Sequence, residues 1–119
     1  MATILIVDDS PSQVAHFVKI LEAHGFDHLV AEDGASGVAL AKSAKPDVIL
    51  MDVVMPELNG FQATRKLTQD PETKDIPVIM VTTKDQETDR VWGKRQGAKG
   101  FMVKPVDEAE LLAEINSWL

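Results

Sequence analysis

Three aspartates, a threonine and a lysine stand where apolar runs end. Asp8-Asp9 follows Thr3-Ile4-Leu5-Ile6-Val7, Asp52 follows Val48-Ile49-Leu50-Met51, Thr82 closes Pro77-Val78-Ile79-Met80-Val81, and Lys104 follows Gly100-Phe101-Met102-Val103. If these ends share one edge, the carboxylates repel by about 1 to 4 kcal/mol per pair at ~4 Å, between water-like and surface-like dielectrics. A divalent cation with hard oxygen ligands offsets that repulsion. Mg²⁺ is favoured, with Mn²⁺ as a substitute, because it accepts one or two carboxylates, keeps several waters and shares a phosphoryl oxygen. Lys104 supplies the other positive charge. A carboxylate nucleophile, a cation site, a lysine and a hydroxyl are the parts of a phosphoryl-transfer centre, where positioning and charge stabilisation carry most of the catalysis.

The elements that must position these groups follow from the apolar pattern. The run Val48 to Met51, apolar without alternation and flanked by Asp47 and Asp52, predicts a strand buried on both faces. Thr3 to Val7, Pro77 to Thr82 and Gly100 to Val103 predict three more, and His28 to Ala31 a weaker one. Between them lie helical patterns. Ser10 offers an N-cap hydroxyl, Pro11 suits a first turn, Val14, Phe17, Val18 and Leu21 form one face, and Gly25 stops the helix. A second helix runs from Ala35 to about Ala44, after the turn residues Asp33-Gly34 and ended by Lys45-Pro46. Pro56 and Asn59-Gly60 interrupt regular structure, so Asp52 heads a loop. A third helix carries Phe61, Thr64 and Leu67 up to Asp70-Pro71. A fourth spans Asp85 to Gln96 with only Val91 and Trp92 as large apolar residues, so it has little to bury and is a candidate moving part. The fifth, capped by Asp107, carries Leu111, Leu112, Ile115 and Leu119.

Five strands alternating with five helices predict an α/β fold: a doubly wound, flavodoxin-like parallel sheet of order 2-1-3-4-5 with right-handed crossovers. The chain of 119 residues is read as one domain, residues 1–119. Under that winding Asp8, Asp9 and Asp52 converge at the switch point between strands 1 and 3, beside Thr82 and Lys104. Cysteine is absent, which excludes a disulfide framework, a thiol nucleophile and thiolate metal sites. With 12 basic and 19 acidic residues the net charge is −7, which opposes attraction to nucleic acid or anionic membrane. Without a spanning apolar run or a basic leader, a soluble cytoplasmic protein is expected, with no membrane insertion and no direct nucleic-acid contact.

Asp8-Asp9, Asp52 with Met55-Pro56 and Asn59-Gly60, Thr82, Phe101 and Lys104-Pro105, in that order at the ends of strands 1, 3, 4 and 5, resemble the receiver domain of bacterial two-component response regulators. The resemblance covers essentially the whole chain. It implies that Asp52 is the phosphoacceptor, that Asp9, Asp52 and the Val54 backbone carbonyl bind Mg²⁺ with Asp8 assisting through water, and that Thr82 and Lys104 bind the phosphoryl oxygens. It also implies that Lys104 pairs with Asp52 before phosphorylation and that the peptide bond before Pro105 is cis. Thr82 and Phe101 would form the switch. Phe101 lacks the hydroxyl of the tyrosine often found there, so its rotation would work through packing alone. Val54 and Lys84 would border the phosphoryl group and tune its loss.

The partners so implied are a sensor histidine kinase or its phosphotransfer domain, and a downstream protein that reads the surface of helix 4, strand 5 and helix 5. With no output module after the fifth helix, the output is expected to be a protein contact, as in single-domain chemotaxis-type regulators. The segment Asp89 to Ala98 resembles more specifically the regulators of type IV pilus twitching motility. A role as a phosphate sink for another regulator is the alternative within that pathway.

Plainer readings stand beside these. Asp8-Asp9 alone is ordinarily a solvated loop and helix cap, Lys104 a solvated lysine, and Phe101 a core side chain. Thr83 rivals Thr82. Trp92 is read as partly buried packing, His16, His24 and His28 as structural or solvated, and Lys94-Arg95 and Arg65-Lys66 as solvated faces. Other functions fit less well: in a flavin mononucleotide carrier of the same winding, Asp8-Asp9 would repel the phosphate. A phosphatase of the haloacid dehalogenase type needs a second aspartate two residues after its nucleophile, where this chain has Val54. A receiver-like fold that signals without phosphate would leave the filled acidic positions unexplained.

Overall fold

A computed structural model describes residues 2–55, 58–83 and 87–119. The strands are β1 (Thr3–Val7), β2 (Asp27–Ala31), β3 (Val48–Met51), β4 (Val78–Thr82) and β5 (Gly100–Val103). The helices are α1 (Pro11–Ala23), α2 (Gly34–Ala44), α3 (Gly60–Gln69), α4 (Glu87–Arg95) and α5 (Glu108–Ser117). The strands pair in parallel, as the alternation of elements predicts, and in the order β2-β1-β3-β4-β5 expected of flavodoxin-like winding.

Each strand of the sheet's centre is buried on both faces, and its alternate residues feed two separate cores. Ile4, Ile6, Leu50, Ile79 and Val81 pack with Phe17, Leu21, Leu111 and Ile115 of α1 and α5. Leu5, Val7, Ile49, Met51 and Met80 pack with Ala41, Ala63 and Leu67 of α2 and α3. By the same alternation Thr82 shares the second face with Met80, and Phe101, the register partner of Met80, packs against that core.

Local signals set the helix ends. Ser10 is the N-cap of α1, yet its hydroxyl makes no capping bond; it lies 3.2 Å from Ser12 Oγ, while the Ser10 amide donates to Asp8 Oδ1 at 2.9 Å. Asp33 and Asp107 each accept an amide hydrogen bond three residues on, from Ser36 and Glu110. Lys45 ends α2 in the left-handed region (φ 51°), where the following Pro46 keeps it from continuing the helix. Asn59-Gly60 proves to be a helix start as well as a loop end: Asn59 Oδ1 accepts from the Gln62 amide and Gln62 Oε1 from the Asn59 amide, each at 3.0 Å. Asn59→Ala is expected to lower stability by about 1 kcal/mol in urea unfolding.

The fourth helix is as poorly anchored as its composition suggests. Val91 is 41% and Trp92 53% exposed, so Trp92 is mostly a surface side chain and its reading as partly buried packing is corrected. Its buried contact is Gly93, set against Met80 and the Phe101 ring. Residues 85 and 86 of the expected helix lie outside the described residues. No helix among the described residues is long and apolar enough to cross a membrane.

Candidate functional site

Backbone hydrogen bonds continue past the strand ends and fix where the polar side chains begin. The Asp8 amide donates to the Ala31 carbonyl (3.1 Å), the Asp52 amide to Val7 (2.9 Å) and the Lys104 amide to Thr82 (2.8 Å). Asp8, Asp52 and Lys104 are therefore each held one residue beyond a strand at the carboxyl edge, where open α/β sheets place their ligands. The Asp52 end is pinned again from α3, because the Gly60 amide donates to the Val53 carbonyl at 2.9 Å.

Asp8, Asp9 and Asp52 each offer a carboxylate oxygen, and these atoms lie within 4.8 Å of one another. Asp8 and Asp52 are buried and Asp9 is exposed, so the cluster opens to solvent on the Asp9 side. Lys104, itself buried, donates to Asp8 Oδ2 at 2.7 Å and reaches Asp52 Oδ1 at 3.4 Å. The resemblance implied a Lys104–Asp52 pair; the geometry gives Lys104 to both carboxylates, with the shorter bond to Asp8.

Three carboxylates against one ammonium leave two negative charges, and Asp52 registers the imbalance. Burial, then the charge of Asp8, pushes its carboxyl up to about 6, against the opposing pull of Lys104. Hard oxygen donors and an uncompensated charge of two fit a small dication such as Mg²⁺, with Asp9 as the donor facing solvent. The acidic cluster is the group of three possible metal-ligating side chains among the described residues.

The remaining residues singled out from the sequence fall in different places. Thr82 is fully buried at the end of β4 and Thr83 is exposed. Phe101 is half-buried, with the Arg90 guanidinium 4.9 Å from its ring centre. Val54 lies on the loop leaving β3 and is 55% exposed. The Lys104–Pro105 peptide bond is cis. Lys84 and the proline of Met55-Pro56 lie outside the described residues. His16 approaches the Val106 carbonyl and His24 pairs with Glu108, and neither belongs to the acidic cluster. Sequence reasoning missed Gly60 as a site residue. Its signal was available in the Asn59-x-x-Gln62 capping box, which marks a helix start directly behind Asp52.

An acidic pocket at the switch point of a flavodoxin-like sheet defines a class of signalling domains. The chain belongs to the response regulator receiver domain family, whose model matches residues 4–116, and it is thus a receiver of two-component signalling. It is 65% identical over 119 residues to Protein PilH of Pseudomonas aeruginosa, covering 100% of this chain and 98% of that one. Among solved structures it is similar to the chemotaxis protein CheY4 of Vibrio cholerae, with a TM-score of 0.93, 34% identity and coverage of 100% and 99%. It is also similar to the receiver domain of sensor histidine kinase PA1611 of Pseudomonas aeruginosa, solved with a magnesium ion coordinated in the active-site cleft. There the TM-score is 0.91, with 29% identity and coverage of 98% and 96%.

Proposed function

We propose that this receiver is a phosphorylation-operated switch that accepts a phosphoryl group on Asp52. The observation that carries the reading is the buried Asp8–Lys104–Asp52 arrangement, with Asp9 beside it at the solvent side. A carboxylate oxygen of Asp52 attacks the phosphorus of a phosphohistidine on a sensor histidine kinase or its phosphotransfer domain. The O–P bond forms, the P–N bond breaks, and the imidazole leaves with the electron pair and takes up a proton. Lys104 and the Thr82 hydroxyl hold the transferred oxygens. Mg²⁺, held by Asp9, Asp52 and the Val54 carbonyl with Asp8 behind them, would neutralise the charge that gathers on those oxygens. Autohydrolysis reverses the state: water attacks the phosphorus, the acyl O–P bond breaks, and inorganic phosphate leaves with the Asp52 carboxylate restored.

The added charge draws on Thr82, and Phe101, on the same face of the sheet, repacks beneath α4. A groove of about 580 Å³ along α4, β5 and α5, lined by Arg90, Phe101, Met102, Glu110 and Glu114, is the surface whose shape would change for a downstream protein. The identity to Protein PilH and the resemblance of residues 89–98 to twitching motility regulators support placing the switch in a type IV pilus system. There it would act either on a target or as a phosphate sink.

Incubation with acetyl phosphate and Mg²⁺ is expected to add one phosphoryl group, read by intact mass, with acetate as the leaving group. Asp52→Asn should add none. Wild-type protein that stays unmodified under these conditions would sink the reading.

A further inference from the structure

Between α3 and α4, away from the acidic cluster and from the α4–β5–α5 groove, lies an open groove of about 420 Å³. Arg65 stands on its α3 wall, Trp92 and Arg95 on its α4 wall, and Gln96 and Gly97 close one end. No carboxylate lines it among the described residues, in a protein whose net charge is −7. Neither arginine forms an ion pair with a carboxylate among the described residues. The Arg95 guanidinium lies 5.9 Å from the Trp92 ring centre, so the indole and the charge form one adjoining surface.

One end of the groove is fastened across its two walls. Thr68 Oγ1 donates to the Gln96 carbonyl at 2.7 Å, tying the end of α4 to α3. Gly97 permits that approach: its φ is +99°, and a Cβ there would meet Thr68 Cγ2 at 2.6 Å. A cation at the end of a helix has a ready explanation in the helix dipole, and Arg95 fits it. That account covers neither Arg65, in the middle of α3, nor an indole left 53% exposed on a helix with almost no buried face.

We propose that this α3–α4 groove docks an acidic peptide segment of a partner protein, with an apolar side chain of the peptide laid on Trp92 and its carboxylates on Arg65 and Arg95. Charge complementarity selects the partner: two arginines without a carboxylate partner among the described residues suit carboxylates, and their planar heads can take them in a bidentate manner. The indole supplies the apolar anchor common at such contacts. The surface shares no residue with the Asp8, Asp9 and Asp52 cluster.

The test uses the full ¹⁵N-labelled chain and a short blocked peptide of glutamates and aspartates flanking one leucine. A lysine version of the peptide, a single-stranded oligonucleotide and the protein alone at rising concentration serve as comparisons. The acidic peptide is expected to shift the amides of Arg65, Thr68 and residues 95–97 and the indole N–H of Trp92, leaving that of Trp118 unmoved. Arg65→Glu with Arg95→Glu should weaken binding by about tenfold or more, and rising salt should weaken it in the wild type. Trp92→Ala should weaken it while keeping the charges. Shifts confined to the α4–β5–α5 face, or equal binding of the lysine peptide, would overturn the proposal. So would binding of the oligonucleotide alone, or self-association that the paired arginine variant abolishes, which would make a second copy the occupant.

Discussion

Asp52→Asn should make the metal-free protein more stable at pH 7.5 by about 1 to 3 kcal/mol, although it removes the proposed reactive group. A carboxyl moved from 3.8 to about 6 by burial and by Asp8 is disfavoured as the carboxylate by roughly 3 kcal/mol, an upper limit for the effect. In the unfolded chain Asp52 ionises near its ordinary value, so between about pH 4 and 6 the native state binds the extra proton. Stability from this group therefore falls as pH rises through that window and stays lower above it. Asparagine stands in for the protonated form and carries no such cost. Other groups run the opposite way: the Ser36 amide holds Asp33 low, and the Lys42 hydrogen bond does the same for Asp70. The whole-protein pH profile mixes these effects, but the difference between variant and wild type isolates Asp52. Urea unfolding of both proteins at pH 4, 6 and 7.5 with chelator present should show a gap that opens with pH. Millimolar Mg²⁺ should then narrow it by binding the native wild type more tightly than the variant. A wild type more stable than Asp52→Asn at pH 7.5 without metal would refute this account of the site's electrostatics.

The same charges explain what could be read from the sequence. Carboxylates at the ends of unbroken apolar runs are legible because a doubly buried strand has one way to meet polar groups, at its edge, and the parallel winding brings those edges together. The two-faced core followed from that, and with flavodoxin-like winding taken for the strand order so did the meeting of Asp8, Asp9, Asp52 and Lys104. The sharing of Lys104 was not legible, since a difference of less than an ångström between Asp8 and Asp52 depends on side-chain packing that no spacing encodes. Trp92 was misread for a related reason. An apolar residue on a helix is assigned to the interior by default, but α4 seats itself on the sheet through Gly93, a residue without a side chain, and leaves the indole outside. Ser10 was placed correctly as a cap position, while its hydroxyl turned to Ser12 and its amide to Asp8. Asn59-Gly60 was legible as a break and equally legible as a capping box; only the three-residue reach to Gln62 distinguishes the two.

Gly60→Ala is expected to destabilise the protein by about 2 to 4 kcal/mol and to slow uptake of phosphoryl groups from acetyl phosphate by about tenfold or more. The sign is the informative part. Gly60 is the first residue of α3, and alanine inside a helix ordinarily gains about 1 kcal/mol over glycine. Here a Cβ would meet the Asp52 carbonyl oxygen at 2.0 Å and Val53 Cα at 2.8 Å, and both obstacles are backbone with no rotamer to yield. Either α3 moves away, straining the Gly60–Val53 hydrogen bond and the Asn59 capping box, or the Asp52–Val53 segment moves and carries the carboxylate with it. The first response lowers stability and leaves phosphorylation close to normal; the second lowers both, because a shift of about 1 Å in a reacting group can cost a hundredfold in rate. The Asp52 amide is fastened to Val7 in the ladder, so the displacement should be divided between the two. Urea unfolding and the initial phosphorylation rate, measured on the same preparation, separate these responses. An alanine variant as stable as the wild type would mean that glycine at this position is a feature of the helix start alone and has no part in holding Asp52.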